Sequence, residues 1–202
     1  MDEQVIIAIG REFGSGGHEI GKELAERLKV SFYDRNLLDH MFIGAEDVKE
    51  TMREYEEKLS HPLFSRRVRG HSNSLAETLA EMQFDFIRDK ASDGESFVII
   101  GRCAESVLRD NKNLITIFIR GDREIKAKRV EKIYELPERD VYSKMDRHDD
   151  QRKKYHNRYG TYKWGDSRGY DLCINSSKLG IEETIDLLED YIEKRIEKMN
   201  GE

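Results

Sequence analysis

At 202 residues, with 38% of them charged and a net charge of -6, the chain has room for one sizeable hydrophobic core and carries no bulk positive charge. That balance argues against nonspecific nucleic-acid binding and against attachment to an anionic membrane, so an anionic ligand has to meet a local cluster of cations. No apolar stretch reaches the length of a bilayer span, and the acidic start Met1-Asp2-Glu3-Gln4 lacks the basic flank of a signal peptide, which points to a cytoplasmic protein.

In chain order, residues 5–9 form the first apolar run, followed by a weaker one at 30–33 and then by 97–100, 114–119 and 172–174. Alternation within them is weak and helical segments intervene, so they read as buried strands of a parallel sheet. After the first run, Ile20, Leu24 and Leu28 recur at helical spacing, with Lys29 at the end where the helix dipole favours a cation. Leu75, Leu79, Met82, Phe86 and Ile87 mark a second helix over 74–91, and Ile181, Ile185, Leu188, Ile192 and Ile196 a long final one. Pairing of that last stripe would make a homodimer, although a single stripe is usually buried in the protein's own core. Residues 44–73, with Arg66, Arg67 and Arg69, and residues 134–170, dense in charge and tyrosine, carry too few aliphatics to supply much core. Both are candidates for mobile, functional insertions above a rigid sheet, the alternative being two solvated helical excursions.

The first strand runs into Gly10-Arg11-Glu12-Phe13-Gly14-Ser15-Gly16-Gly17-His18 and then a helix. A glycine-rich turn opening a helix aims several backbone N–H groups at one point, at the positive end of the dipole, which suits phosphate. Gly14, Ser15, Gly16, Gly17 and His18 are therefore the expected phosphate-binding residues. The usual G-x-x-x-x-G-K-[ST] pattern would place lysine at Gly17 and a hydroxyl at His18. Arg11 is the preferred source of the lost charge, with His18 beside it, because Lys22 falls a turn too far along the helix. A dinucleotide fingerprint competes: no glycine stands three residues after Gly16, but Asp34 lies near the expected distance for a ribose-binding acid. Cys103 and Cys173 match no zinc spacing and sit in or beside apolar runs, so both are expected as buried thiols and no metal ligand is assigned.

The stretch VIIAIGREFGSGGHEIGKELAERLKVSFYDRNLL resembles the start of the cytidylate kinase-like P-loop proteins. The similarity continues through VIIGRCAESVL, LITIFIRGDREIKAKRV and MDRHDDQRKKYHNRYGTYKWGDSRGYDLCINSSKLGIEETIDLL. The resemblance implies a P-loop NTPase-type, three-layer α/β fold of nucleoside monophosphate kinase type, with a parallel five-stranded sheet. It implies one domain over 1–202, with a core of about 1–43, 74–133 and 171–202, a monophosphate-binding insertion at about 44–73 and a lid at about 134–170. Where cytidylate kinases have Gly-Arg-Asp contacting the acceptor, this chain has Gly101-Arg102-Cys103, so Arg102 carries over and the carboxylate does not. Of the lid pattern R-D-x-x-D-x-x-R, Asp146, Asp149 and Arg152 match, and Met145 replaces the first arginine. By the resemblance, Asp34, Arg102 and Asp149 bind the acceptor and Arg152 holds phosphate, while Arg11, from the loop, and Arg158, among the nearby basic residues, are the further candidates for neutralising charge during transfer. The implied function is ATP- and Mg2+-dependent phosphoryl transfer, with CMP or dCMP as the leading acceptor. Alternatives are a nucleotide-binding regulator without transfer activity and a kinase for another small acceptor.

Overall fold

In the computed structural model, which describes residues 4–35, 37 and 75–200, the first apolar run becomes the central strand β1, Ile6–Arg11. Around it stand β2 (Ser31–Tyr33), β3 (Phe97–Ile100), β4 (Leu114–Arg120) and β5 (Leu172–Asn175). All pairings are parallel and the order is β2-β3-β1-β4-β5, with Ile7 opposite both Val98 and Ile115. Among the described residues the α-helices are α1 (Gly17–Leu28), α2 (Leu75–Ser92), the single turn α3 (Ala104–Val107), α4 (Arg123–Tyr134), α5 (Glu138–Tyr159) and α6 (Ile181–Asn200).

The two-residue period of a strand explains the layers. Val5, Ile7 and Ile9 point to one face and pack with Ile20 and Leu24 of α1 and Ile185, Leu188 and Ile192 of α6. Ile6 and Ala8 point to the other, against Ile87 and Ala91 of α2 and Ala104 of α3. Each fully buried aliphatic contributes about 1.5–3 kcal/mol, so the β1 residues with both faces covered anchor the fold. Arg27 fastens the α1–α6 layer through Asp186 (2.7 Å) and Glu189 (2.9 Å). Among the described residues no helix is long and apolar enough to cross a membrane.

A satellite core departs from expectation. Phe13 packs with Ala127 and Val130 of α4 and with Val141 and Met145 of α5. The 134–170 region thus brings apolar side chains of its own, spaced i, i+4 on one face of α5. Met145 is 1% exposed there, so the missing lid arginine has been replaced by a core residue. Cys103 is buried as expected, but Cys173 is exposed, because β5 is an edge strand. The 44–73 insertion, with its arginines, lies outside the described residues.

Candidate functional site

β1 ends at the point where neighbouring strands diverge in chain order, β3 on one side and β4 on the other, so the crevice beyond its carboxyl end is the natural ligand position of an open α/β sheet. The glycine loop sits there. Gly14 (φ 83°) and Gly16 (φ 80°) are left-handed, a conformation that strains any residue with a Cβ. Their bareness also admits neighbours: a Cβ on Gly14 would lie 2.8 Å from Val130 Cγ2, and one on Gly16 would lie 2.2 Å from Ile181 Cδ1. The buried Ser15 hydroxyl donates to Glu12 O (2.8 Å), and Ser15 O accepts from the Ser176 hydroxyl (2.6 Å), which fixes the loop from both sides. Among the described residues, the N–H groups of Gly14, Gly16 and His18 have no acceptor, so this stretch of backbone is open to an anion.

Arg11 is the last residue of β1, not a loop residue. Its side chain passes over Gly17: a Cβ on Gly17 would stand 2.8 Å from Arg11 Cβ. The guanidinium continues to Gly101, where Nη1 lies 3.0 Å from an ideal Cβ position. The space a loop lysine would leave by is therefore filled by arginine. Burial, then repulsion from Arg152, pushes the Arg11 guanidinium down to about 9 against the pull of Asp34. It stays charged at neutral pH.

A cavity of about 570 Å³ opens beside it, with Arg11, Asp34, Arg35, Arg102, Arg152 and Tyr155 in its wall. Burial favours protonation of Asp34, but the Leu37 N–H (2.8 Å), the His18 ring and the Arg11 charge outweigh it and hold the carboxyl low. His18 does not reach over the loop with its ring. Its Nε2 lies 2.8 Å from Asp34 Oδ2 and the imidazole stands edge-on to Phe32, which links the start of α1 to the end of β2. Arg102 adopts φ 60° and stacks over Tyr155 at 5.0 Å.

The lid pattern is docked. Asp149 Oδ1 accepts from the Phe13 N–H (2.7 Å), and Oδ2 lies 3.8 Å from Lys126. Burial raises the Asp149 carboxyl, opposed by that N–H and by Lys126 and Arg152. Lys126, 7% exposed, donates to Glu12 Oε2 at 2.8 Å, and the same oxygen accepts from the Gly121 N–H. Asp146 makes a two-pronged pair with Arg123 of α4 at 3.0 and 2.9 Å. Arg152 donates to Arg11 O (3.2 Å) and lies over Phe13, which stacks at 4.2 Å on His148. Arg158 is elsewhere: it pairs with Glu77 of α2 and does not line the cavity. The aromatics of 155–170 pack on the protein body, Trp164 and Tyr170 on Phe118 and Tyr159 on Phe84.

Glu12, Lys126, His148, Glu105 and His156 belong to this neighbourhood and were not singled out from sequence. An acid within a glycine-rich loop was the available signal, since Glu12 needs a cation nearby. No spacing points to Lys126.

With this geometry in view, likeness to known proteins decides the family. A model of the cytidylate kinase-like family matches residues 6–178. The chain belongs to that family. A solved structure described as an uncharacterized protein from Eubacterium ventriosum ATCC 27560 is 40% identical, covers 94% of this chain and 99% of its own, and superposes with a TM-score of 0.76. Shikimate kinase from Bacteroides thetaiotaomicron (15% identity, 94% and 98% coverage, TM-score 0.53) and a sugar kinase from Janibacter sp. HTCC2649 (13%, 94% and 95%, 0.53) share the fold. No curated protein matches the chain significantly. This cytidylate kinase-like chain thus has the fold of P-loop kinases, consistent with a phosphotransferase.

Proposed function

We propose that the protein transfers the terminal phosphoryl group of ATP, taken as its magnesium complex, to a small phosphorylated acceptor, with CMP or dCMP as the leading candidates. The observation that carries this reading is the convergence of Arg11, Arg35, Arg102 and Arg152 on one cavity whose neighbouring loop leaves backbone N–H groups open. Phosphoryl transfer needs alignment and charge neutralisation more than covalent help, and planar guanidinium groups grip phosphate oxygens in pairs. In this reading Gly14 to His18 hold donor phosphates through the backbone, while Arg11 and Arg152 bridge donor and acceptor. Asp34 and Arg102 position the acceptor. Magnesium comes with the nucleotide, held by phosphate and water, because the His18 ring is committed to Asp34 and Ser15 to the loop itself. Asp149 fastens the lid helix to the loop, and Arg158 is left out of the assembly because Glu77 holds it.

The test is ADP release from pure protein with ATP, magnesium and a panel of nucleoside monophosphates and hydroxylated small molecules. Turnover that depends on CMP or dCMP is expected. A second reading, a nucleotide-binding regulator, draws on Asp149 occupying the Phe13 N–H. Tight nucleotide binding without turnover on any acceptor would establish it in place of the first.

A further inference from the structure

Cys103, Glu105 and His156 line the same cavity, yet none has a part in handling phosphate. Each offers one ligand atom, and the three atoms lie within 4.8 Å of one another. All three residues are buried. Glu105 Oε1 is 3.0 Å from the Ser106 hydroxyl and 2.9 Å from His156 Nε2, while Oε2 makes no hydrogen bond among the described residues. Cys103 reaches its place through a left-handed backbone (φ 53°) at the start of α3, and His156 arrives from α5. The fold therefore brings residues of two distant segments to one buried point.

The donor set selects the occupant. Sulfur and imidazole nitrogen suit zinc-class transition ions, whereas magnesium and calcium prefer all-oxygen shells. A thiolate and a carboxylate together neutralise a dication, which lowers the cost of burying it and spares Arg102 next door a net positive neighbour. Three protein ligands plus one open position is a common zinc arrangement. We propose that Cys103 Sγ, Glu105 Oε2 and His156 Nε2 bind one divalent ion of the zinc class, with its fourth position open to the cavity. On binding, the thiol proton goes to solvent and the imidazole proton moves from Nε2 to Nδ1, so each ion releases one net proton. The ion ties the turn after β3 to the α4–α5 hairpin, and the inference does not depend on the phosphotransfer reading.

The test titrates the full-length protein, dialysed against a chelator, with cobalt(II) as the probe. One equivalent is expected to bind with a thiolate-to-metal absorption band in the near ultraviolet and visible bands of a tetrahedral ion, releasing one proton in a weakly buffered indicator assay. Cys103→Ser should abolish the near-ultraviolet band, Cys173→Ser should keep it, and His156→Gln should weaken binding about tenfold or more. Circular dichroism checks the fold of each variant, and His156→Gln carries the test if Cys103→Ser does not fold. Absence of the thiolate band in the wild type, its persistence in Cys103→Ser, its loss in Cys173→Ser or unchanged affinity in His156→Gln overturns the proposal.

Discussion

The turns that follow β1 and β3 leave the same edge of the sheet, and both pass through left-handed backbone, but they are built differently. After β1 the left-handed residues are glycines, Gly14 and Gly16; after β3, Gly101 is followed by Arg102 and Cys103 in the same conformation. In the proposed site the first turn binds through its backbone, so side chains are dispensable there and glycine avoids the strain. In the second turn both proposals use the side chains, and the fold accepts about 1–3 kcal/mol of backbone strain for each of the two. On that reading, strain is tolerated where a guanidinium or a thiol is presented and avoided where an amide suffices.

Several substitutions would break or sharpen that contrast. The largest effect is expected from Arg11→Ala, which removes the cation shared by the two turns. Initial-rate kinetics should show kcat/KM with the acceptor falling about 100-fold or more, equivalent to about 2.7 kcal/mol. In the wild type, affinity for a doubly charged acceptor should fall as pH rises through about 9, where Arg11 loses its proton. The sign follows from the lowered base: the charge is present below that value and lost above it. Gly16→Ala meets both a positive φ and the Ile181 side chain, so thermal unfolding should show a loss of about 2 kcal/mol or more.

Gly17→Lys restores the usual loop residue but drives its Cβ into Arg11, so turnover should drop about tenfold instead of rising. Paired with Arg11→Gly, which removes the Cβ that the lysine meets, the same lysine should recover activity relative to Arg11→Gly alone, a coupling a double-mutant cycle would detect. Arg102→Gly should divide the two properties of the second turn: unfolding free energy rises by about 1 kcal/mol as strain is released, while acceptor KM increases about tenfold. The smallest effect on turnover, within about threefold, is expected for Arg158→Ala, whose guanidinium is half-exposed and pairs with Glu77 outside the cavity.

Much of the sheet was legible because buried parallel strands leave continuous apolar runs, and the glycine loop because its backbone conformation demands a residue type. The acidic and arginine pattern at 145–152 was legible only as a motif. Asp149 and Arg152, three apart, share a side of α5, but Arg158 lies six residues beyond Arg152, about 240° around the helix, and so faces α2. That angle was available from sequence and argues against placing both arginines in one cavity. Glu105 and His156 are 51 residues apart and meet only because α5 folds back over the turn after β3, a tertiary fact without local signature. Cys173 lies in an apolar run but on the sheet edge, and sequence does not tell which strand will be outermost.

The close passage of Arg11 over Gly17 also ties the two positions together. A side chain added at position 17 starts 2.8 Å from Arg11 Cβ, a contact that trimming the arginine to alanine leaves in place, so a loop lysine needs either glycine at position 11 or a shift of the backbone. What each position tolerates therefore depends on what the other holds.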